Sequence, residues 1–110
     1  LISWQDFEKV DMRVGTVLSA IDLELAKKPA FILTIDFGPE IGILKSSAQI
    51  TVLYKKEKLI GQQVIAVVNF PPKQIGKIIS QCLVLGLVDA SNEVVLLQPQ
   101  QPVKNGRKVL

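Results

Sequence analysis

A small all-β barrel is the fold this sequence predicts, and three observations carry the prediction. Apolar residues alternate with polar ones in short runs punctuated by glycine, proline, asparagine and aspartate. The first run is long and holds an internal glycine suited to a bend. A lysine-rich break then separates the third run from the fourth, so about five or six short strands share roughly 100 residues, the pattern of a closed barrel.

Ser3-Trp4-Gln5-Asp6 has the spacing of a capping box, which predicts a short helix with Trp4 and Phe7 on one face. Met12 to Leu23 reads as the long first strand. There Met12, Val14, Thr16, Leu18 and Ala20 alternate with Arg13, Gly15, Val17 and Ser19, and Gly15 is the expected bend or bulge. Phe31–Phe37 has the cleanest alternation: Phe31, Leu33, Ile35 and Phe37 point one way, Ile32, Thr34 and Asp36 the other. Gly38-Pro39-Glu40 marks a turn, and a third strand starts near Gly42. Tyr54–Lys58 reads as an exposed loop or helical turn. Gln63–Phe70 is rich in β-branched residues and reads as a central strand, ended by Pro71-Pro72 because neither proline donates to a ladder. Gln81–Val88 and Glu93–Leu97 predict a hairpin around Asp89-Ala90-Ser91-Asn92. The tail carries a turn signal over Pro102–Gly106 before Val109 and Leu110.

With 110 residues the chain makes a single domain, 1–110, long enough to bury a core without metal or disulfide support. A composition that is 48% hydrophobic and 21% charged excludes disorder. No apolar stretch approaches the ~18 residues of a membrane span. The opening residues carry acids and no basic-then-apolar pattern, so no signal peptide is expected. Cys82 has no partner cysteine, which fits a reducing cytoplasm, and its apolar neighbours mark it as an inert core residue. Histidine is absent altogether, which removes the usual general base near neutral pH and the commonest zinc ligand. The acidic pairs Asp22 with Glu24 and Asp36 with Glu40 lack partners at ligand spacing, and no phosphate-binding loop, dinucleotide fingerprint or zinc pattern occurs. No catalysis, metal or cofactor is therefore expected. A five-stranded oligonucleotide/oligosaccharide-binding (OB) Greek-key barrel fits the elements best. A β-sandwich is the competitor, since periodicity does not decide closure.

Charge is unevenly placed. Residues 1–40 carry four basic and seven acidic side chains, residues 41–80 six lysines against Glu57 alone, and residues 81–110 three basic against two acidic, for a net +3. The lysine-weighted middle is able to form a one-sided patch for a polyanion. The alternative is that these lysines keep an apolar barrel soluble.

Four segments taken together, DFEKVDMRVGTV (6–17), LTIDFGPEIGILKSSAQIT (33–51), QVIAVVNFPPKQI (63–75) and VVLLQPQQPVKNG (94–106), resemble the bacterial CsaA family of secretion chaperones and tRNA-binding proteins. That family lies within a wider group of tRNA-binding domains, such as those appended to methionyl-tRNA synthetase and to the phenylalanyl-tRNA synthetase β chain. The resemblance runs from Asp6 to Lys108 without large gaps. It implies an OB-fold barrel with short helices and terminal extensions that pair two subunits into a homodimer. It also implies cytoplasmic residence and affinity for folded tRNA. The chain departs from the family at Ala30-Phe31-Ile32, a segment expected to vary, and at Lys104, where alone the family tends to carry proline; neither touches the candidate site.

The residues themselves offer matching chemistry. Lys45-Ser46-Ser47-Ala48-Gln49 supplies a cation, two hydroxyls and an amide, suited to phosphate oxygens, ribose 2′-hydroxyls and base edges. The alternative has Ser46 and Ser47 satisfying a bulged backbone and Gln49 merely solvated. Asn69-Phe70-Pro71-Pro72-Lys73 presents Lys73 from a stiff loop, which lowers the ordering cost of binding, and Lys77, Ser80 and Gln81 extend the same surface. Asn69 is either a ligand contact or a turn stabiliser. Phe70 reads as a core plug beneath the proline loop, with base stacking as the alternative. So few aromatics argue against a stacking ladder and for shape and backbone recognition of folded RNA. Trp4, Phe7, Val103, Val109 and Leu110 are expected at a two-fold interface, because a positive mean hydropathy leaves more apolar surface than a lone barrel covers. The expected function is a non-catalytic homodimeric tRNA-binding protein. The alternative is a cytoplasmic peptide-binding chaperone that assists preprotein export, with unfolded preproteins or the export machinery as partners.

Overall fold

The computed structural model describes residues 1–24 and 27–110. Ser3 caps α1 (Trp4–Glu8) as the spacing predicts: its hydroxyl accepts from the Asp6 amide while the Asp6 carboxylate accepts from the Ser3 amide, both at 3.1 Å. These bonds hold the Asp6 carboxyl below the usual carboxylate range, the Ser3 amide contributing most. No residue of α1 is buried, so the helix stands on its cap with little packing beneath it.

The long strand β1 (Met12–Asp22) is the hub. It pairs with β2 (Phe31–Asp36) over its second half and with β4 (Gln63–Val67) over its first. β2 in turn pairs with β3 (Ile43–Ala48), and β4 with β7 (Leu83–Val84), giving the antiparallel order β3-β2-β1-β4-β7. The outer ends of this order meet. Gln81 donates its amide to the Lys45 carbonyl at 2.7 Å, and the Lys45 amide donates to the Gln81 side-chain oxygen at 2.9 Å. The sheet is thus a nearly closed five-stranded barrel of OB type, and the sandwich is set aside.

Phe31, Leu33, Ile35 and Phe37 all point into the barrel, as their alternation predicts. Leu59 of α3 (Lys56–Leu59) joins them there, with Val64 and Ala66 of β4. The expectation for β1 needs correction. Its register shift lies between Val17 and Ser19, not at Gly15, and this brings Val17 and Ala20 into the same core although strict alternation sets them on opposite faces. Gly15 serves close approach instead: a β-carbon there would stand 2.6 Å from Ile35 Cγ2 and 2.7 Å from Phe37 Cδ1.

Other elements refine the reading. The turn at Gly38 is a short helix, α2 (Gly38–Ile41), and β4 ends at Val67, three residues before Phe70. Two strands absent from the expectation, β5 (Lys73–Ile75) and β6 (Ile78–Ser80), form a hairpin through Gly76, whose φ of 58° suits a two-residue turn. Ile75 and Ile78 of this hairpin cover Leu23, Ala30 and Ile32, so the outward side of β2 acquires a second small core. The expected Gln81–Val88 strand divides into β7 and β8 (Gly86–Val88) around Leu85, and β8 pairs with β9 (Val94–Leu96) as the predicted hairpin. The Asp89 carboxylate accepts from the Ser91 and Glu93 amides at 2.8 and 2.9 Å and fixes that turn. Finally the tail runs along β1. The Gly106 amide donates to the Val14 carbonyl at 2.8 Å, the Val14 amide to Arg107 at 3.0 Å, and the Val109 amide to Met12 at 2.9 Å.

Candidate nucleic-acid interface

Strand parity sorts the residues of β3. Ser46 and Ala48 are buried, while Lys45, Ser47 and, just past the strand, Gln49 lie on the outward side. Ser46 is only 1% exposed and donates its hydroxyl to the Cys82 carbonyl at 3.0 Å. It fastens β3 from inside the barrel and offers no surface to a ligand, so its expected place at the binding surface is corrected.

The β5–β6 hairpin stands beside that outward side. The Ser47 amide donates to Ser80 Oγ at 3.2 Å, and Ser80 pairs across the hairpin with Lys73. The result is a groove of about 670 Å³, lined by the polar Ser47, Gln49, Ser80 and Gln81 together with Phe70, Pro71, Pro72 and Lys73. Five of the sequence-predicted residues therefore meet: Ser47, Gln49, Lys73, Ser80 and Gln81. A second depression of about 500 Å³ shares Ser47, Gln49 and Ile75 with the first and is bordered by Gln74, Lys27 and Lys28. Among the described residues no carboxylate lines either hollow.

The remaining expected residues lie elsewhere. Lys45 shares the outward side of β3 without lining the groove, and Lys77 is exposed at the hairpin tip. Asn69 Oδ1 accepts from the Asp11 amide at 2.9 Å and its Nδ2 donates to the Lys9 carbonyl at 2.7 Å. Both ends of that amide hold the segment leaving α1, so Asn69 makes long-range ties in place of the local turn. Phe70 is 51% exposed and lines the groove, so the core-plug reading is corrected. Lys56 is paired with Asp22 at 2.8 Å, which raises its pKa, and neither it nor Lys55 or Lys58 lines a hollow.

Lys27 and Lys28 are what sequence reasoning missed. They sit in the acidic first third, where counting by segment hides them. Their available signal was position, a lysine pair in the connection between the first two strands, where OB barrels engage their ligands.

The expected interface residues cluster by exposure at the chain ends. Trp4 is 81% exposed, Val103 43% and Leu110 fully so, with Phe7 and Val109 half-buried. Leu1 and Ile2 add to this apolar surface. Burial pushes the Cys82 thiol up to about 11, so the reactive thiolate is not formed near neutral pH. Among the described residues no group of three or more histidine, cysteine or acidic side chains is placed to hold a metal ion, and no helix is long and apolar enough to cross a membrane.

A family of domains described as "Putative tRNA binding domain" matches residues 12–108. The methionine–tRNA ligase of Nanoarchaeum equitans is 38% identical over 113 residues; the match covers 99% of this chain but 14% of that enzyme. The chain thus spans about one-seventh of such relatives. Among solved structures, the chaperone CsaA of Bacillus anthracis is 49% identical with a TM-score of 0.93, covering 100% of this chain and 99% of that one. The CsaA chaperone protein of Picrophilus torridus is 48% identical, also with a TM-score of 0.93, and coverage is 100% of both chains.

Proposed function

The chain belongs to the tRNA-binding-domain family, and from that premise we propose that it is a non-catalytic, cytoplasmic homodimer that binds folded tRNA through backbone and shape contacts. The observation that carries this reading is the pair of adjoining hollows, lined by no carboxylate among the described residues, in which Lys27, Lys28 and Lys73 accompany the hydroxyls and amides of Ser47, Gln49 and Ser80. Cations position a phosphate backbone, and neutral polar groups suit ribose hydroxyls and base edges. Lys45 and Lys77, at the margins, add attraction without lining the site.

A gel-shift series tests it. Lys27→Glu combined with Lys73→Glu is expected to abolish tRNA binding while circular dichroism stays unchanged. The wild-type affinity should fall with salt by about 0.7–0.9 in log–log slope per phosphate neutralised. Unchanged affinity in the double variant would place the site elsewhere.

A second reading is favoured by the apolar part of the groove lining, Phe70, Pro71, Pro72 and Leu83, and by the similarity to CsaA chaperones. In it the groove takes an extended apolar segment of an unfolded preprotein. A peptide that binds independently of salt and is not displaced by tRNA would favour this reading.

A further inference from the structure

We infer that the Phe70–proline groove receives a single unstacked nucleotide of the bound RNA, its base against the Phe70 ring and its phosphate at Lys73. This rests on the tRNA-binding reading and specifies what the groove recognises within it.

Phe70 is the first support. About half of Phe70 is open to solvent, in the lining of a hollow, whereas Phe31 and Phe37 lie in the core and Phe7 is half-buried on α1. The backbone beneath it is held on both sides. Asn69 is pinned by two hydrogen bonds to residues 9 and 11, and Pro71-Pro72 fix the chain that follows. A rigid, exposed aromatic face presents a stacking platform that needs no ordering on binding.

The polar lining supplies the edge contacts. Among the described residues the Gln49 side-chain amide has no hydrogen-bond partner, so its donor and acceptor are both available to a base edge. Lys73 has no carboxylate within ion-pair distance among the described residues, and none lines the groove. The cation is therefore left for an external anion. A groove of about 670 Å³ lies in the range of small-ligand sites, suited to a nucleotide and not to a duplex. The lining thus combines an apolar face, a hydrogen-bonding amide and a cation, the three kinds of group that a base face, a base edge and a phosphate call for. An apolar peptide, whose backbone can pair with the amide, would still leave the ammonium without an anion. One platform serves one base, which agrees with a chain too poor in aromatics for a ladder.

The test combines Phe70→Ala, Phe70→Leu and Phe70→Trp in the full chain. Alanine and leucine, the latter keeping apolar bulk, are each expected to weaken tRNA binding roughly five- to 150-fold with the salt slope unchanged, whereas Lys73→Ala lowers that slope. Phe70→Trp should retain affinity, and its added fluorescence, measured against the wild-type signal from Trp4, should be quenched by tRNA and by a single-stranded trinucleotide but not by a blunt RNA duplex. Wild-type affinity in the Phe70→Leu variant overturns this inference while leaving tRNA binding in place. Quenching by an apolar peptide with none by RNA gives the groove to peptides and overturns it too. A wild-type protein that binds no tRNA overturns both readings.

Discussion

At Gly15 a side chain has nowhere to go, because Ile35 and Phe37, the residues it would strike, are themselves wholly buried. Gly15→Ala is expected to destabilise the protein by about 1–3 kcal/mol through overpacking, read as a lower urea midpoint. A wild-type midpoint would mean that β1 shifts freely. Single residues also mark what a sequence makes legible. Phe31 to Phe37 announce themselves because one face of their strand is wholly inside, and strict alternation records that fact. Val17 does not, because a bulge is a property of pairing between strands and leaves no mark in one strand alone. Asn69 is equally opaque. Its partners lie 60 and 58 positions away, and a long-range hydrogen bond has no local pattern to read.

Among the elements, β5 and β6 show how tertiary support overrides local propensity. Three-residue strands after a double proline have little reason to form alone. They form because Ile75 and Ile78 cover Leu23, Ala30 and Ile32, which would otherwise face water. The sequence marks the double proline as a stop, and so hides the hairpin that makes the groove wall. α1 presents the opposite case: its cap is plainly written in Ser3 and Asp6, yet its attachment to the barrel is not. Asn69 provides much of that attachment by bonding the segment that follows the helix. Asn69→Ala is expected to cost about 1–2 kcal/mol, seen as a lower thermal midpoint, with the amides of Lys9 to Asp11 losing protection from hydrogen exchange first. An unaltered midpoint and exchange pattern would show that the tie is dispensable.

For the whole molecule, charge and apolar surface are distributed by folding and not by order along the chain. The lysine-rich middle third contributes Lys73 to the candidate site, while two lysines from the acidic first third complete it. Exposed Leu1, Ile2, Trp4 and Leu110 leave apolar surface at both chain ends, and the bond from Val109 to Met12 brings the tail alongside the segment leading out of α1. A second copy of the chain is the proposed cover. Wild-type protein should sediment as a dimer at micromolar concentration, and Trp4→Glu as a monomer with an intact barrel. A wild-type protein that sediments as a monomer would sink this.

Ser80 and Gln81 belong both to the groove and to the joint where the barrel's last staves meet. That joint holds by one backbone bond, from the Gln81 amide to the Lys45 carbonyl, and by side-chain bonds instead of a continuous ladder. On the proposed reading, RNA seated across it would act as a clasp, and the loaded barrel is expected to unfold at a higher temperature than the empty one.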